Sequence, residues 1–375
     1  MRVLIVGGGM AGLSAATMLA RAGHDVTVVE ASGRVEGAVI AITNRAVEAL
    51  ETLGVLEACA AIGYVIEGTA SIFSRVHDGR TGAPLPIPEP PPRDDVRLPA
   101  SISLLRPAFT TILEQAARGA GAVIRVGRAV TGFDDTGDAV AVTFDDGTMG
   151  TYDLVVGADG IGSQLRASLF PDAPTPAYTG HMSFRWVLPD APEGPAGPYV
   201  LPADNRMVMT TRLPGNLLYL STGVDMARRF VGADETRALL RAELSRYAAP
   251  LMQALVGRLD AQEEVLMRPY DWHLLPPPWY RGRVVLIGDA AHATTAHLAS
   301  GGSLAIEDGV VLGEEVARTP DLAVALAAYT QRRFDRAAMV VNASVELLRL
   351  QQAHADPAAS ARLRAQAVEA LREPY

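Results

Sequence analysis

Residues 3–30 read VLIVGGGMAGLSAATMLARAGHDVTVVE. An apolar strand over residues 3–6 runs into Gly7, Gly8, Gly9, Met10, Ala11 and Gly12. A helix follows, then a second apolar strand over residues 26–29 that ends in Glu30. Three glycines at this spacing suit a dinucleotide site. Gly7 permits the tight turn, Gly9 lets a pyrophosphate approach the backbone, and Gly12 lets the helix pack against the strand. The helix start offers free N–H groups and the positive end of its dipole to phosphate. Glu30 follows Gly12 by eighteen residues, where an acid takes a ribose hydroxyl and rejects a 2′-phosphate. Arg2 ahead of an apolar stretch also fits a secretory leader, but the glycine spacing and the lack of a small-residue cleavage site weigh against it.

The chain has 375 residues, enough for two domains or one large α/β domain with an insertion. Its net charge of −9 disfavours nucleic acid and anionic membrane as partners. No run of about 18 uninterrupted apolar residues exists, so a membrane span is not expected. Cys59 is the single cysteine, which excludes an intramolecular disulfide and makes a cysteine metal site implausible. No metal site is expected, and a reducing, cytoplasmic setting fits. The chain contains no lysine; that excludes a pyridoxal Schiff base and a phosphate-binding P-loop lysine.

Along the chain, Asn44 is placed to cap a helix over 45–53 that stops at Gly54. Residues 64–76 alternate like a strand, and 84–99 (PLPIPEPPPRDDVRLP) read as a surface loop or lid because proline lacks the donor. A helix is expected over 109–118 and strands over 123–126, 139–144 and 151–156, with Asp145, Asp146 and Gly147 as a hairpin turn. Residues 178–224 suit an antiparallel sheet and 234–257 a helix. A buried strand over 284–287 enters Gly288 and Asp289, and 303–349 are mostly helix with a break at Thr319 and Pro320.

Two more strand ends carry Gly and Asp together: VVGADGIGSQLR at 155–166 and GDAAHATTAHLASGGSLAIEDG at 288–309. Ligands of open α/β sheets sit beyond the carboxyl ends of strands, and either Asp alone also suits a plain helix cap. With these motifs, GGGMAGLSAA and Glu30, the chain resembles the class A flavoprotein monooxygenases, the FAD-dependent aromatic hydroxylases, over almost its whole length. Arg106 in LLRPAFTTIL matches the family's R-x-x-L/F-x-x-x-L helix, and LAAYTQRRFDRAAMVVNAS at 326–344 is similar to its closing helix.

The resemblance implies an α/β fold: a Rossmann-like FAD-binding domain (1–75, 100–176 and 268–375, with C-terminal helices) interrupted by a mostly antiparallel β-sheet substrate domain (76–99 and 177–267). It implies tightly but non-covalently bound FAD and transient NAD(P)H. Gly7, Gly9, Met10, Ala11 and Gly12 would hold the pyrophosphate, Glu30 and Ala31 the adenosine ribose, and Arg34 and Arg106 would approach ribose or pyrophosphate. Val130 would lie by the adenine, Asp159 would serve FAD and NAD(P)H, and Asp289 the ribityl chain. Gly301, Gly302 and Ser303 would meet the flavin ring, where a helix dipole stabilises negative charge. The implied reaction is NAD(P)H- and O2-consuming hydroxylation of a small aromatic or polyketide-like substrate through a flavin C4a-hydroperoxide, by a monomer or homodimer.

Several positions depart from the family. Ala296 stands where Pro is usual, Ala299 and Ser300 in a Gly- or Gln-rich run, Ser303 where Asn or Gly is common, and Val39 where Gly is common. These departures keep open an FAD oxidoreductase that inserts no oxygen. A flavin halogenase is disfavoured by the missing lysine and WxWxIP segment, and a non-catalytic flavin-binding partner is a further reading. Among substrate residues, His297 is a candidate base, or a structural histidine bonded to backbone. Arg185, Arg206, Arg212 and Tyr219 fall on the second sheet; two of the arginines are expected to face solvent and one to pair with a carboxylate or phenolate. Arg185 and Tyr219 join His297 as catalytic candidates. Met207 and Met209 suit ordinary core, His292 packing within its turn, and His273 scaffold.

Overall fold

The computed structural model describes residues 1–33, 39–68, 71–86, 98–201, 205–260 and 264–375. Among them, one sheet holds, in spatial order, Tyr280–Arg281, Val284–Leu286, Leu154–Gly157, Arg2–Val6, Asp25–Glu30 and Val123–Val126. The five strands from Val284–Leu286 to Val123–Val126 pair in parallel, and only Tyr280–Arg281 runs antiparallel. Val3, Leu4, Ile5, Val155, Val156, Val285 and Leu286 are buried to 1 % or less, as expected for parallel strands covered on both faces. The three Gly-containing turns leave the same carboxyl edge of this sheet.

The second large sheet orders His292–Ala293, Val265–Leu274, Ala177–Leu188, Leu217–Asp225, Arg206–Leu213, Gly197–Leu201 and His77–Asp78. Its strands alternate. Met182, Phe184, Trp186 and Leu188 pack with Leu240, Leu244, Leu251 and Leu255 of helices Ala233–Leu244 and Pro250–Arg258. Each buried side chain of this kind contributes roughly 1.5–3 kcal/mol. The opposite face of the same strands turns toward the carboxyl edge of the parallel sheet and closes a cavity between the two sheets.

Helix Gly301–Arg318 is buried along most of its length. It crosses helix Met10–Arg21 closely enough that a Cβ on Gly313 would lie 2.3 Å from Met18 Cβ. That crossing sets the start of the helix against the first turn. Cys59 is buried, and desolvation pushes its thiol up to about 12, so it is unreactive.

Several local expectations change. Asn44 does not cap a helix: it holds a left-handed conformation (φ 55°), and helix Ala46–Thr52 starts from Arg45 without a side-chain cap. Residues 64–76 are not one strand but Tyr64–Ile66 followed by turns, with 69–70 outside the described residues. The expected helix at 109–118 begins earlier, as Arg106–Gly119, because Pro107 fits a first helical turn. Residues 151–156 split at Asp153 into the ends of two strands, Met149–Tyr152 and Leu154–Gly157, in different sheets. The helix expected over 234–257 breaks before Pro250. Of the Pro-rich loop, residues 87–97 lie outside the described residues.

Candidate active site

Gly7 sits at φ +113°, and a Cβ there would fall 2.2 Å from the Ala158 carbonyl oxygen; one on Gly12 would fall 2.0 Å from the Gly7 oxygen. Both positions are therefore closed to any side chain. Gly9 differs: nothing lies within 4 Å of its Cβ position, and it lines the cavity with Met10 and Ala11. Helix Met10–Arg21 starts at Gly9 without a side-chain cap, which leaves its first N–H groups for a ligand. Glu30 accepts N–H groups from Gly8 and Ser32, both at 2.8 Å, so its carboxylate also fixes the turn. Ala31 is exposed beside it, Val130 opens strand Val130–Asp135, and neither lines the cavity. Arg34 lies outside the described residues.

At the second turn, Ala158 and Gly160 line the cavity. Asp159 turns aside to accept the Gln164 and Leu165 N–H groups at 2.9 and 3.3 Å, at the start of helix Gln164–Leu169. Its other oxygen, Oδ1, is buried with no hydrogen-bond partner among the described residues.

At the third turn, Asp289 is surrounded by protein yet presents an open surface to the cavity. Burial raises its pKa; the charges of His292 and Arg106 oppose that, and Asp308 adds to it. Arg106, at the start of its helix, lines the same cavity, as do Gly301 and Gly302. Ser303 faces away: its hydroxyl accepts the Thr43 N–H at 3.1 Å, tying the helix start to strand Val39–Thr43. Of the departures from the family, Val39, Ala296 and Ala299 line the cavity, while Ser300 donates to the Leu298 carbonyl at 2.8 Å.

A buried ion network locks this turn. Asp308 accepts the Gly288 N–H at 2.8 Å, meets His292 Nε2 at 2.6 Å, and accepts Arg333 Nε at 2.7 Å. Arg333 also reaches Glu307 at 2.8 Å. Burial alone would raise Asp308, but His292 and Arg333 outweigh it and bring its pKa to about 2. His292 packs 5.0 Å from the Trp279 ring, within its turn as expected.

The cavity encloses about 350 Å³. Its far wall is the sheet face bearing Arg185, Tyr219, Met207 and Met209. The two methionines are thus cavity wall rather than ordinary core. Half-buried Arg206 pairs with buried Glu243 at 3.0 Å, so one of the arginines does meet a carboxylate, and half-buried Arg212 donates to the carbonyls of Pro192 and Gly194. Burial raises the Tyr219 phenol, against the lowering charge of Arg185. His297 meets the Thr295 hydroxyl at 3.0 Å through Nδ1. Burial first, then the charges of His181 and Arg364, bring its pKa to about 3. So weak a base suits hydrogen bonding better than proton abstraction.

Sequence reading missed two groups here. His181 lines the cavity and meets Asp225 at 2.7 Å; the alternation along 178–224 puts positions 181 and 185 on one face, but nothing marks Asp225 as a partner. Arg364, on helix Pro357–Ala370, donates to the His297 carbonyl, and burial lowers its pKa to about 10; no sequence signal ties it to the site. A second cavity of about 920 Å³ shares Phe73, Met207, His297 and Gln351 with the first. Among the described residues, no cluster of His, Cys, Asp and Glu suits a metal ion, and no helix is long and apolar enough to cross a membrane.

The donor set fits a flavin dinucleotide: an open approach at Gly9, an acid facing the cavity at Asp289, and an uncapped helix start at Gly301 and Gly302. The family described as "FAD binding domain" matches residues 1–344. The chain is 31% identical over 345 residues to a FAD-dependent urate hydroxylase of Klebsiella pneumoniae, covering 90% of this chain and 86% of that one. It is 32% identical over 347 residues to aurachin C monooxygenase/isomerase of Stigmatella aurantiaca (89% and 85% covered). It is similar to the crystal structure of Klebsiella pneumoniae HpxO complexed with FAD and uric acid, with TM-score 0.78, 26% identity, and 100% and 93% covered. The chain belongs to the FAD-dependent aromatic hydroxylase family of flavoprotein monooxygenases. It is an oxidoreductase with FAD as its cofactor.

Proposed function

We propose that this monooxygenase hydroxylates a small, electron-rich ring compound in the cavity between the two sheets, consuming NAD(P)H and O2. The observation that carries this reading is the shared cavity: the glycine turns and Asp289 form one side, and Arg185 and Tyr219 the other. FAD held here would supply the oxygen-transfer chemistry, with NAD(P)H and O2 as co-substrates. Gly9, Met10 and Ala11 would hold its pyrophosphate by backbone N–H groups, with Gly7 and Gly12 shaping the turn. Glu30, with Ala31 beside it, would take the adenosine ribose, and Asp289 the ribityl chain. Arg106 would neutralise phosphate, and the helix start at Gly301 and Gly302 would face the ring's electron-rich end.

The chain's own work is to orient the substrate and exclude water. Arg185 supplies charge to a phenolate or carboxylate, Tyr219 and neutral His297 supply hydrogen bonds, and Met207 and Met209 form a pliable wall. Residues 1–75, 100–176 and 268–375 then serve the cofactor, and 76–99 and 177–267 the substrate. Reduced nicotinamide is regenerated in the cytoplasm, and the reading places the enzyme there. The similar HpxO structure is a complex with uric acid, which supports a polar heteroaromatic or phenolic ring as the substrate class.

The test is to purify the yellow protein and screen phenols and hydroxylated nitrogen heterocycles for accelerated NAD(P)H and O2 consumption, with product mass. One oxygen atom gained per NAD(P)H consumed is expected. Substrate oxidation without O2 uptake would replace this reading with a dehydrogenase.

A further inference from the structure

We propose that His181 and Asp225 form a proton relay that ionises the substrate's ring hydroxyl and delivers the proton to solvent. The inference rests on the hydroxylase reading and assigns the base that reading lacks. Neutral, weakly basic His297 is a poor candidate for that task.

Three observations place the relay. First, His181 is 3 % exposed, on strand Ala177–Leu188, and lines the cavity. Its Nδ1 lies 2.7 Å from Asp225 Oδ1. A carboxylate on Nδ1 selects the tautomer with the proton there and leaves the Nε2 lone pair free to accept a proton. Second, His181 and Asp225 are register partners on paired antiparallel strands, and the next residue on that face, Gly223, has no side chain. A Cβ on Gly223 would fall 2.1 Å from His181 Nε2, so glycine here gives the ring its place. Third, the Asp225 side chain is 43% exposed while the His181 side chain is 4% exposed. The pair therefore spans from the closed cavity to bulk water. Gln352 donates to Asp225 at 3.0 Å and steadies it. Burial would raise Asp225, but its bonds from His181 and Gln352 outweigh this and leave it lowered.

The charged and titratable groups facing His181 come from four directions. Asp225 lies on the paired strand, Tyr270 stacks at 5.6 Å from the neighbouring strand, His297 stands 6.4 Å away on the cofactor side, and Glu243 with its partner Arg206 acts from beneath.

The step balances. The ring O–H bond breaks and an Nε2–H bond forms, with the electron pair staying on the ring oxygen. The Nδ1 proton passes by way of Asp225 Oδ1 to water, and the imidazole resets when Nε2 returns its proton to the product oxygen and water reprotonates Nδ1 through Asp225. The ring gains electron density at the carbons that meet the electrophilic oxygen.

The experiment uses the holoenzyme as H181N, H181Q and D225N, each checked for bound flavin by its visible spectrum, and the best phenol from the screen. At pH 7, H181N is expected to lower kcat/KM about 100-fold and D225N less. The loss should shrink as pH rises toward the phenol's own pKa, where the substrate ionises without help. H181Q reads the same pH dependence should H181N fail to retain flavin. A loss of the same size at every pH overturns the relay and leaves the hydroxylase reading intact. Wild-type enzyme that turns over no hydroxylated ring overturns that reading, and the relay with it.

Discussion

The two walls of the cavity are built by opposite means. The wall proposed for the cofactor is made of backbone: Gly9, Gly301 and Gly302 line it, Gly7 and Gly12 shape the turn behind it, and carboxylates fix the turns. The sheet wall is made of side chains projecting from strands whose backbone is ordinary: Arg185, Tyr219, His181 and Met207. A backbone-built wall is closed to side chains wherever its turns are tight, as at Gly7 and Gly12. A side-chain wall is replaceable one residue at a time, which is how one fold serves many substrates.

The largest expected effect breaks the frame behind the cofactor wall. Arg333→Met leaves the carboxylates of Asp308 and Glu307 buried without their shared cation. A loss of about 3–5 kcal/mol is expected, read as a lowered denaturation midpoint and poor flavin retention. Unchanged stability would show that the network is not what holds the Gly288 turn.

A pair of glycine substitutions then separates shape from space. Gly12→Ala drives a methyl group into the Gly7 carbonyl and should cost about 3 kcal/mol together with the flavin. Gly9→Ala meets no protein atom within 4 Å, so the apoprotein should melt as wild type does, while FAD affinity falls. Equal melting of the two apoproteins would undo the distinction.

This contrast explains what the sequence made legible. The parallel sheet, the three turns and the break at Pro320 were readable because glycine, proline and apolar runs constrain backbone locally. Ser303 and Asp159 show the boundary: the motif locates each along the chain, yet the Ser303 hydroxyl bonds to Thr43 and the Asp159 carboxylate reaches a helix start. Side-chain direction is set by neighbours distant in the chain. The sheet wall was harder for the same reason. His181 and Asp225 stand 44 residues apart, Arg364 reaches His297 from 67 residues away, and no local pattern announces such partners.

The seam between the walls carries a pH signature. His273 is 2 % exposed, on the strand that pairs with His292–Ala293. Desolvation, then the charges of Arg166 and His292, lower its pKa to about 4. Its folded form binds a proton less readily than the unfolded chain, whose imidazole titrates near 6.5. Stability is therefore full above that pH and declines as pH falls toward 4, by up to about 3 kcal/mol. H273L should flatten this slope in denaturant titrations at successive pH values; an unchanged slope would assign it to other groups.

On the sheet wall, Arg185→Met removes a cation and leaves the turns untouched. With a phenolic or acidic ring, KM should rise about 10–100-fold at unchanged flavin content. Loss of flavin in R185M would erase the division between the walls.

The smallest effect falls where the walls meet. Ala299 lines the cavity in a left-handed conformation, φ 51° and ψ 29°, at a position where the family favours a Gly- or Gln-rich run. A side chain there costs roughly 1–2 kcal/mol that glycine avoids, and glycine returns part of that gain as chain entropy when unfolded. Ala299→Gly should therefore stabilise by about 1 kcal/mol at most, read as a small rise in melting temperature. The turnover of A299G is the more telling number. If the strained alanine is only a relic of drift, rates stay equal. If its methyl group shapes the approach to the ring, coupling of NAD(P)H use to hydroxylation falls while stability rises, and a backbone position on the cofactor wall will have been recruited as a side-chain determinant.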